Sequence, residues 1–581
     1  MRMIIFLLMV WGGFLVPEMM AQPYIREKVF VHTDRDLYLT GEKIRMKVYV
    51  TDAAFNHPTP FSKVAYLELW GPDGLPIEQL RFPLFDGKAD ISLLLDRNLH
   101  SGYYQLRAYT RWMLNGSAED FFLLPLAVLN PEEEIPLFDE SVENLPEIPN
   151  RIKAEASDSL VCDIDPLAVV LSLSPEKTAV GTRVVVNIHT LDVNGNPLPA
   201  NISLSVAKKS PIPFGFSEKE EEWNPLDRFC RPVNPVYAPE KLTFLPELFG
   251  MLVSGTVFGP ENKAYSEAEV YLAIPGKIPH VKWALADSKG RFYFNLPDRY
   301  GVGELVVFAT DSSGSHLRVK LDPVIAAAVP PPFPLSLSFS QKDTQLLKEL
   351  FLNHQIQTAY EDEISVSKDL PTKPPIPFYG IAERTYRLDD YTRFSIEETF
   401  IEIIYQVHVL HREGKTLLRI YDQYADAMLE GDPMMLVDGI PFLNAENLLA
   451  INSRKIEQVD VLSTRYFSDN RFMDGMVHLI TYEGRGDAVK LPDHYLRQNY
   501  SFYTPGSAFI PVTLPETPDF SVPDFRNLLH WEPNIVTDSA GKARVEFYTS
   551  AAAGKYEVRV VALTSDGLGG KTVKTLEVVY P

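Results

Sequence analysis

Cysteine is nearly absent: Cys162 and Cys230 are the only two in 581 residues. Two isolated thiols exclude a disulfide framework and a cysteine-built zinc site. A bridge between them needs Cα atoms within about 7 Å, which sequence leaves open. Basic charge is also short. The chain has 55 Lys+Arg against 77 Asp+Glu, and 55 − 77 gives −22. Nucleic acid is therefore excluded as the main partner, because phosphate binding needs a concentrated basic surface. Electrostatic docking on an anionic membrane is disfavoured for the same reason. Glycine, at 32, is outnumbered by proline, at 46. Proline cannot donate to a β ladder or continue a helix, so it marks strand ends and borders. What is plentiful is apolar material: 45% hydrophobic and 11% aromatic. That suits several packed cores, at roughly 100–200 residues per domain.

Long apolar runs are missing after the N-terminus, and none reaches the ~20 residues of a spanning helix. At the start, Arg2 precedes the apolar run Ile4–Val10, extended by Trp11, Phe14, Leu15 and Val16, with Pro17 and Ala21 before Gln22. This is the layout of a secretory signal peptide over 1–21, so export to the periplasm or outer membrane is expected. No Cys follows the run, so lipid anchoring is not supported.

The rest reads as mainly β: tandem β-sandwich domains, a small α+β domain and a short helical linker. Residues 28–130 carry short strands separated by turns such as Gly71-Pro72-Asp73-Gly74. Residues 131–166 are a Pro/Glu linker in which Glu132-Glu133-Glu134 is a solvated charge run. Residues 167–245 repeat the strand–turn–strand arrangement, with Asn194-Gly195 as a hairpin turn. Residues 250–322 form a third β unit. Residues 323–420 are Pro-rich and helical, with helices expected over Gln345–Tyr360 and from Ser395, where Glu398 completes a capping box. Residues 421–490 hold Leu436-Val437-Asp438-Gly439, an alternating Ile456–Val461 strand and a Gly475–Thr481 strand. Residues 491–530 read as linker, and 531–581 as a last β segment, either a fragment or a sandwich completed by other strands.

Resemblances to three families attach to these residues. Val29-Phe30-Val31-His32-Thr33-Asp34-Arg35-Asp36-Leu37-Tyr38-Leu39-Thr40-Gly41-Glu42 resembles the opening of the second macroglobulin-type domain of the alpha-2-macroglobulin family. Trp531-Glu532-Pro533 with Thr537-Asp538 and Gly541-Lys542-Ala543 is similar to that family's central domain. Residues 250–322 resemble the carboxypeptidase regulatory-like domain, a transthyretin-like sandwich that implies no peptidase activity. Residues 421–490 resemble the plug of TonB-dependent outer-membrane receptors. Only 581 − 482 = 99 residues follow Tyr482, too few for about 22 barrel strands, so the unit is expected to work without its own barrel.

Chemistry is sparse. There is no Gly-x-Ser-x-Gly elbow, His-Glu-x-x-His helix, Walker loop or dinucleotide fingerprint. His32, Asp34 and Asp36 read as turn residues rather than metal ligands. His408 and His411 lack carboxylate or thiolate partners at useful spacing. Asp163 and Asp165 read as turn residues before Pro166, and Asp438 as setting the turn at Gly439. Trp223 and Tyr103 suit sugar stacking, but in so aromatic a sandwich protein they read as core. The thioester form of the macroglobulin mechanism needs Cys-Gly-Glu-Gln, and neither Cys162 nor Cys230 has that context. No catalytic, cofactor-binding or metal residue is therefore expected, and no enzyme. The expected role is a non-enzymatic interaction or scaffold protein of the cell envelope. Its expected partners are outer-membrane proteins, among them TonB-dependent transport machinery. The alternative is a macroglobulin-like endopeptidase inhibitor without thioester, with a protease as partner.

Overall fold

The computed structural model describes residues 25–137, 167–212, 236–237, 242–325, 337–360, 376–468, 471–486, 489–504 and 524–581. The expected signal peptide, Cys162, Cys230, Asp163, Asp165, Trp223 and the prolines at 330–334 lie outside them. No helix among the described residues is long and apolar enough to cross a membrane.

The chain is mainly β. Its first sandwich has eight strands: Glu27–Thr33, Leu37–Leu39, Lys43–Asp52, Val64–Trp70, Pro76–Pro83, Lys88–Leu94, Gly102–Tyr109 and Phe122–Leu129. Strands one, three and six form one sheet, and two, eight, seven, four and five form the other. Alternation decides the faces. Ile44, Met46, Val48 and Val50 are fully buried between the sheets. Each such aliphatic side chain contributes about 1.5–3 kcal/mol by burial. Lys47 and Tyr49 point the other way, yet they too are buried, because a second sandwich covers that face.

That second sandwich uses the same plan. Its strands are Ala168–Ser174, Lys177–Ala179, Arg183–Leu191 and Asn201–Lys208, then Leu528–Val536, Lys542–Tyr548, Gly554–Leu563 and Gly569–Val579. Counted within the sandwich, one, three and six again form one sheet, and two, eight, seven, four and five the other. In both sandwiches strand two runs parallel to strand eight. The stretch read as a separate sandwich at 167–245 is thus half of one, and the last β segment is its other half. The two halves share a core in which Val184, Val186, Ile202 and Leu204 meet Phe547, Val558 and Val560. Where the first sandwich turns from strand four to five through Gly71–Leu75, the second inserts residues 209–527.

The insert carries the third β unit, whose six strands between Leu252 and Leu321 join Leu496–Ser501 in one seven-stranded sheet. Its core runs on into that of the first sandwich. Strand Val302–Thr310 is extended by Leu496–Ser501, which adds antiparallel along 302–307. The sequence alone reads that segment as linker. Tyr500, Phe502 and Tyr503 bury into the same core, so apolar content turns the stretch into a stitch between units.

The α+β unit has a five-stranded sheet ordered Arg384–Arg387, Ile456–Leu462, Met476–Thr481, Met434–Val437, Ile440–Phe442. The expected helix spans Ile396–Glu402, and its capping box is formed: the Glu398 amide donates to Ser395 Oγ at 3.2 Å, and the Ser395 amide to Glu398 Oε2 at 3.0 Å. Ile396, Phe400, Val407, Leu418 and Ile420 pack with Val437 and Leu479 in one core. Residues 384–420 therefore belong with this unit, not with a linker. The other expected helix, Thr344–Tyr360, buries Leu347 and Leu350 against Leu37, Leu39, Tyr103 and Leu129 of the first sandwich.

Shared strands give a testable dependence. Ending the chain before Asp524 is expected to leave 27–129 folded while residues 167–208 lose amide-exchange protection. Unchanged protection of 167–208 would contradict the shared sandwich.

Candidate functional site

Residues 33–42 sit where the two sandwiches and the helix Thr344–Tyr360 meet. Asp34 is buried and shapes the turn: its Oδ1 accepts from the Tyr38 hydroxyl at 2.7 Å and the Arg45 amide at 2.8 Å. Arg35 Nη1 donates to both Glu42 oxygens, at 3.0 and 3.1 Å, and Glu42 Oε2 accepts the Leu39 amide at 2.8 Å. Burial opposes the charge on Arg35, but Glu42 and Asp34 beside it hold its pKa above the ordinary value. Gly41 makes the next turn at φ 85°, a region costly for other residues. The dense motif is thus a turn whose polar groups satisfy one another.

Asp36 points out of this turn to Arg559 of the second sandwich, at 2.6 Å. Arg559 also donates to Glu557 Oε2 at 3.1 and 2.7 Å. Burial pushes the Asp36 carboxyl up, and Arg559 pulls it back. Beside them the Lys208 amide donates to the Asn527 carbonyl at 2.8 Å, closing the insert. The Asn353 side chain of the helix donates to Asn527 Oδ1 at 3.0 Å, and Lys208 Nζ reaches Glu349 at 3.3 Å. The cleft among Arg35, Asp36, Glu42, Lys208 and Arg559 holds about 20 Å³, room for a water or two and no organic ligand.

His32 lies on the same interface. Its Nδ1 is 2.6 Å from Ser203 Oγ, and its ring centroid is 5.2 Å from that of Trp531. Burial, then Arg559, lowers its pKa to about 3, so it stays neutral at physiological pH. Lys47 reaches Asp90 at 2.6 Å and Asn534 at 2.5 Å. His32, Asp34 and Asp36 thus go to three different partners and do not converge. Among the described residues no group of three His, Cys, Asp or Glu side chains is placed to hold a metal.

Two further contacts hold the insert. Glu247 is fully buried between the first sandwich and the third unit, accepting the Tyr66 hydroxyl at 3.0 Å and the Leu252 amide at 2.9 Å. Burial raises its pKa to about 7. Asp438, at φ 48°, accepts the Thr481 amide at 2.8 Å, the Thr481 hydroxyl at 2.6 Å and the Gly486 amide at 2.7 Å. Its role at the turn is the expected one. Its carbonyl takes the Gly276 amide at 3.0 Å, and a Cβ on Gly439 would lie 2.0 Å from Pro279 Cβ. The turn is therefore pressed against the third unit. Tyr495 adds to the join, stacking on Phe308 at 4.0 Å and donating to the Pro441 carbonyl at 2.7 Å.

The remaining candidates do not gather. His408 and His411 lie on a strand, Val407–Arg412, both exposed, with His411 2.9 Å from Glu397. Tyr103 is buried against the helix, as its core reading implied. The Tyr379 hydroxyl donates to Asp460 Oδ2 at 2.9 Å and lies 2.9 Å from His478 Nδ1, a grouping sequence missed. All three side chains are buried, and burial lowers the pKa of His478 to about 3. Arg559 and Glu247 were also missed. In Val558-Arg559-Val560 the only signal is a charge inside an apolar strand.

No family model matches the chain, and no curated protein matches it. Among solved structures, it aligns with Salmonella alpha-2-macroglobulin reacted with methylamine at 10% identity and TM-score 0.25, over 96% of this chain and 40% of that one. With native Escherichia coli alpha-2-macroglobulin the values are 11%, 0.25, 96% and 40%. This chain thus spans less than half the length of either protein.

Arg559→Ala is expected to destabilise the protein by about 3–5 kcal/mol, because it strands buried Asp36 and Glu557; denaturant titration reads this. Glu247 gives a pH effect. The folded state holds its proton more tightly than the unfolded state does, so stability is present below about pH 4.5 and falls as pH rises through about 7. Glu247→Gln is expected to flatten that fall by on the order of 3 kcal/mol between pH 4.5 and 7.5. Parallel stability–pH curves for the two proteins would contradict it.

Proposed function

We propose that this chain is a non-enzymatic, exported interaction and scaffold protein of the cell envelope that assists outer-membrane transport or surface assembly. The observation that carries this reading is the insertion. An α+β unit resembling a TonB-receptor plug is built into the turn between two strands of a sandwich. It is fixed there through Asp438, Gly439 and Tyr495. Such a mount presents the unit to another molecule at a set orientation. Close chain ends, as at Lys208 and Asn527, are the sites where folded units are inserted without disturbing the host. The water-sized cleft at the junction favours a surface contact over a small-molecule reaction. Engagement of a barrel or of the energising protein in trans follows from the plug resemblance. Affinity capture from envelope fractions tests it: outer-membrane or TonB-system proteins are expected, and their absence would count heavily against the role.

A peptidase inhibitor is the second reading, favoured by the strand order that both sandwiches share and by the macroglobulin-like residues 29–42. Incubation with a protease panel separates the two. Specific cleavage with retained protease supports inhibition, and indifference removes it.

A further inference from the structure

Strand Arg384–Arg387 ends the sheet of the α+β unit. It pairs with Ile456–Leu462 on one side, from Arg384 opposite Val461 to Arg387 opposite Gln458. No described strand pairs with its other side. The far end of the sheet differs: Ile440–Phe442 is fully buried and contains Pro441. An open edge leaves alternate N–H and C=O groups ready for another strand. At two other edges the chain supplies the cover itself. Leu496–Ser501 completes the third unit, and Thr504 exchanges hydrogen bonds with Arg81 on the fifth strand of the first sandwich, at 2.9 and 3.2 Å.

Two further features mark this edge. Arg384 and Arg387 are exposed and form no ion pair with a described residue, although the chain carries an excess of 22 acidic charges. The segment before Arg384 and the hairpin Tyr466–Ser468/Arg471–Met473 carry exposed apolar side chains. Ile381 is 89% exposed, Phe472 67% and Phe467 55%, with the two Phe rings 4.7 Å apart. Glu383, accepting the Ser463 amide at 2.8 Å, and the Tyr466 hydroxyl, donating to the Phe378 carbonyl at 3.0 Å, hold the two loops together. Exposed apolar groups of this kind mark interaction sites.

We propose that this edge docks an extended acidic segment of a partner protein by strand addition. Its carboxylates meet Arg384 and Arg387, and an apolar side chain rests on Ile381, Phe467 and Phe472. A lipid surface gives the strand no ordered backbone partners, and nucleic acid is opposed by the net charge. The two arginines are three residues apart, so they project to opposite faces. The partner's carboxylates should therefore also be separated by an odd number of residues. This rests on the scaffold reading and names one surface for it.

The test is selection of twelve-residue peptides from a random display library on the full chain. Recovered peptides should carry acidic residues three apart beside an apolar residue. Binding should protect amides of 384–387 from exchange. It should fall at least tenfold in Arg384→Glu/Arg387→Glu and in Phe472→Ser, with thermal midpoints unchanged because all three residues are exposed. Recovery of no peptide, equal binding by the reversed variant, or phosphatidylglycerol vesicles binding as tightly as the peptides would overturn the proposal. Envelope partners captured equally by wild type and reversed variant would remove this surface and leave the scaffold role standing.

Discussion

The bond from the Lys208 amide to the Asn527 carbonyl joins residues 527 − 208 = 319 positions apart. Nearly everything else depends on that closure. Beyond it, strand Asn201–Lys208 is flanked by Leu528–Val536 on one side and Gly554–Leu563 on the other. As a flexible loop, such a span would cost about 5 kcal/mol of closure entropy at (3/2)RT ln n. An insert that folds by itself lowers the cost, because its own ends come together first. The core of the α+β unit, and the pairing of Leu496–Ser501 with Val302–Val307 of the third unit, serve that purpose.

The interface between the sandwiches follows a different rule from their cores. It buries His32, Asp36, Lys47, Ser203 and Arg559, polar groups that sheet faces usually give to water. Such groups tolerate burial only when their partners are placed correctly, and any displacement leaves a charge unpaired. They therefore contribute orientation more than adhesion. The Asp36–Arg559 pair fixes one angle between the sandwiches, and Lys47 with Asp90 and Asn534 fixes a second point. A rigid base of this kind lets a distant inserted unit hold a defined direction.

Local signals in the sequence carried a long way. The capping box at Ser395 and Glu398, the turn at Asp438 and Gly439, and the alternation through Ile44–Val50 all match the fold. Each rests on neighbours a few residues off. The failures lie where a partner is hundreds of residues distant. Nothing near Val184 reveals that Phe547 lies opposite it, so half a sandwich read as a whole one. Arg559 sits in an apolar strand, and its meaning comes from Asp36. Leu496–Ser501 looked like linker because its strand partner, Val302–Val307, lies on the far side of the α+β unit.

The split sandwich also has a consequence in time. A chain emerging from its N-terminus presents Ala168–Lys208 long before Leu528–Val579 arrives. Through that interval Val184, Val186, Ile202 and Leu204 have no facing sheet, and the edges of Lys177–Ala179 and Arg183–Leu191 and both edges of Asn201–Lys208 wait unpaired. Meanwhile the third unit completes its core against the first sandwich, and the α+β unit builds its own. Residues 167–208 are thus the stretch most exposed to mispairing during synthesis, and the one a holding chaperone has most reason to cover.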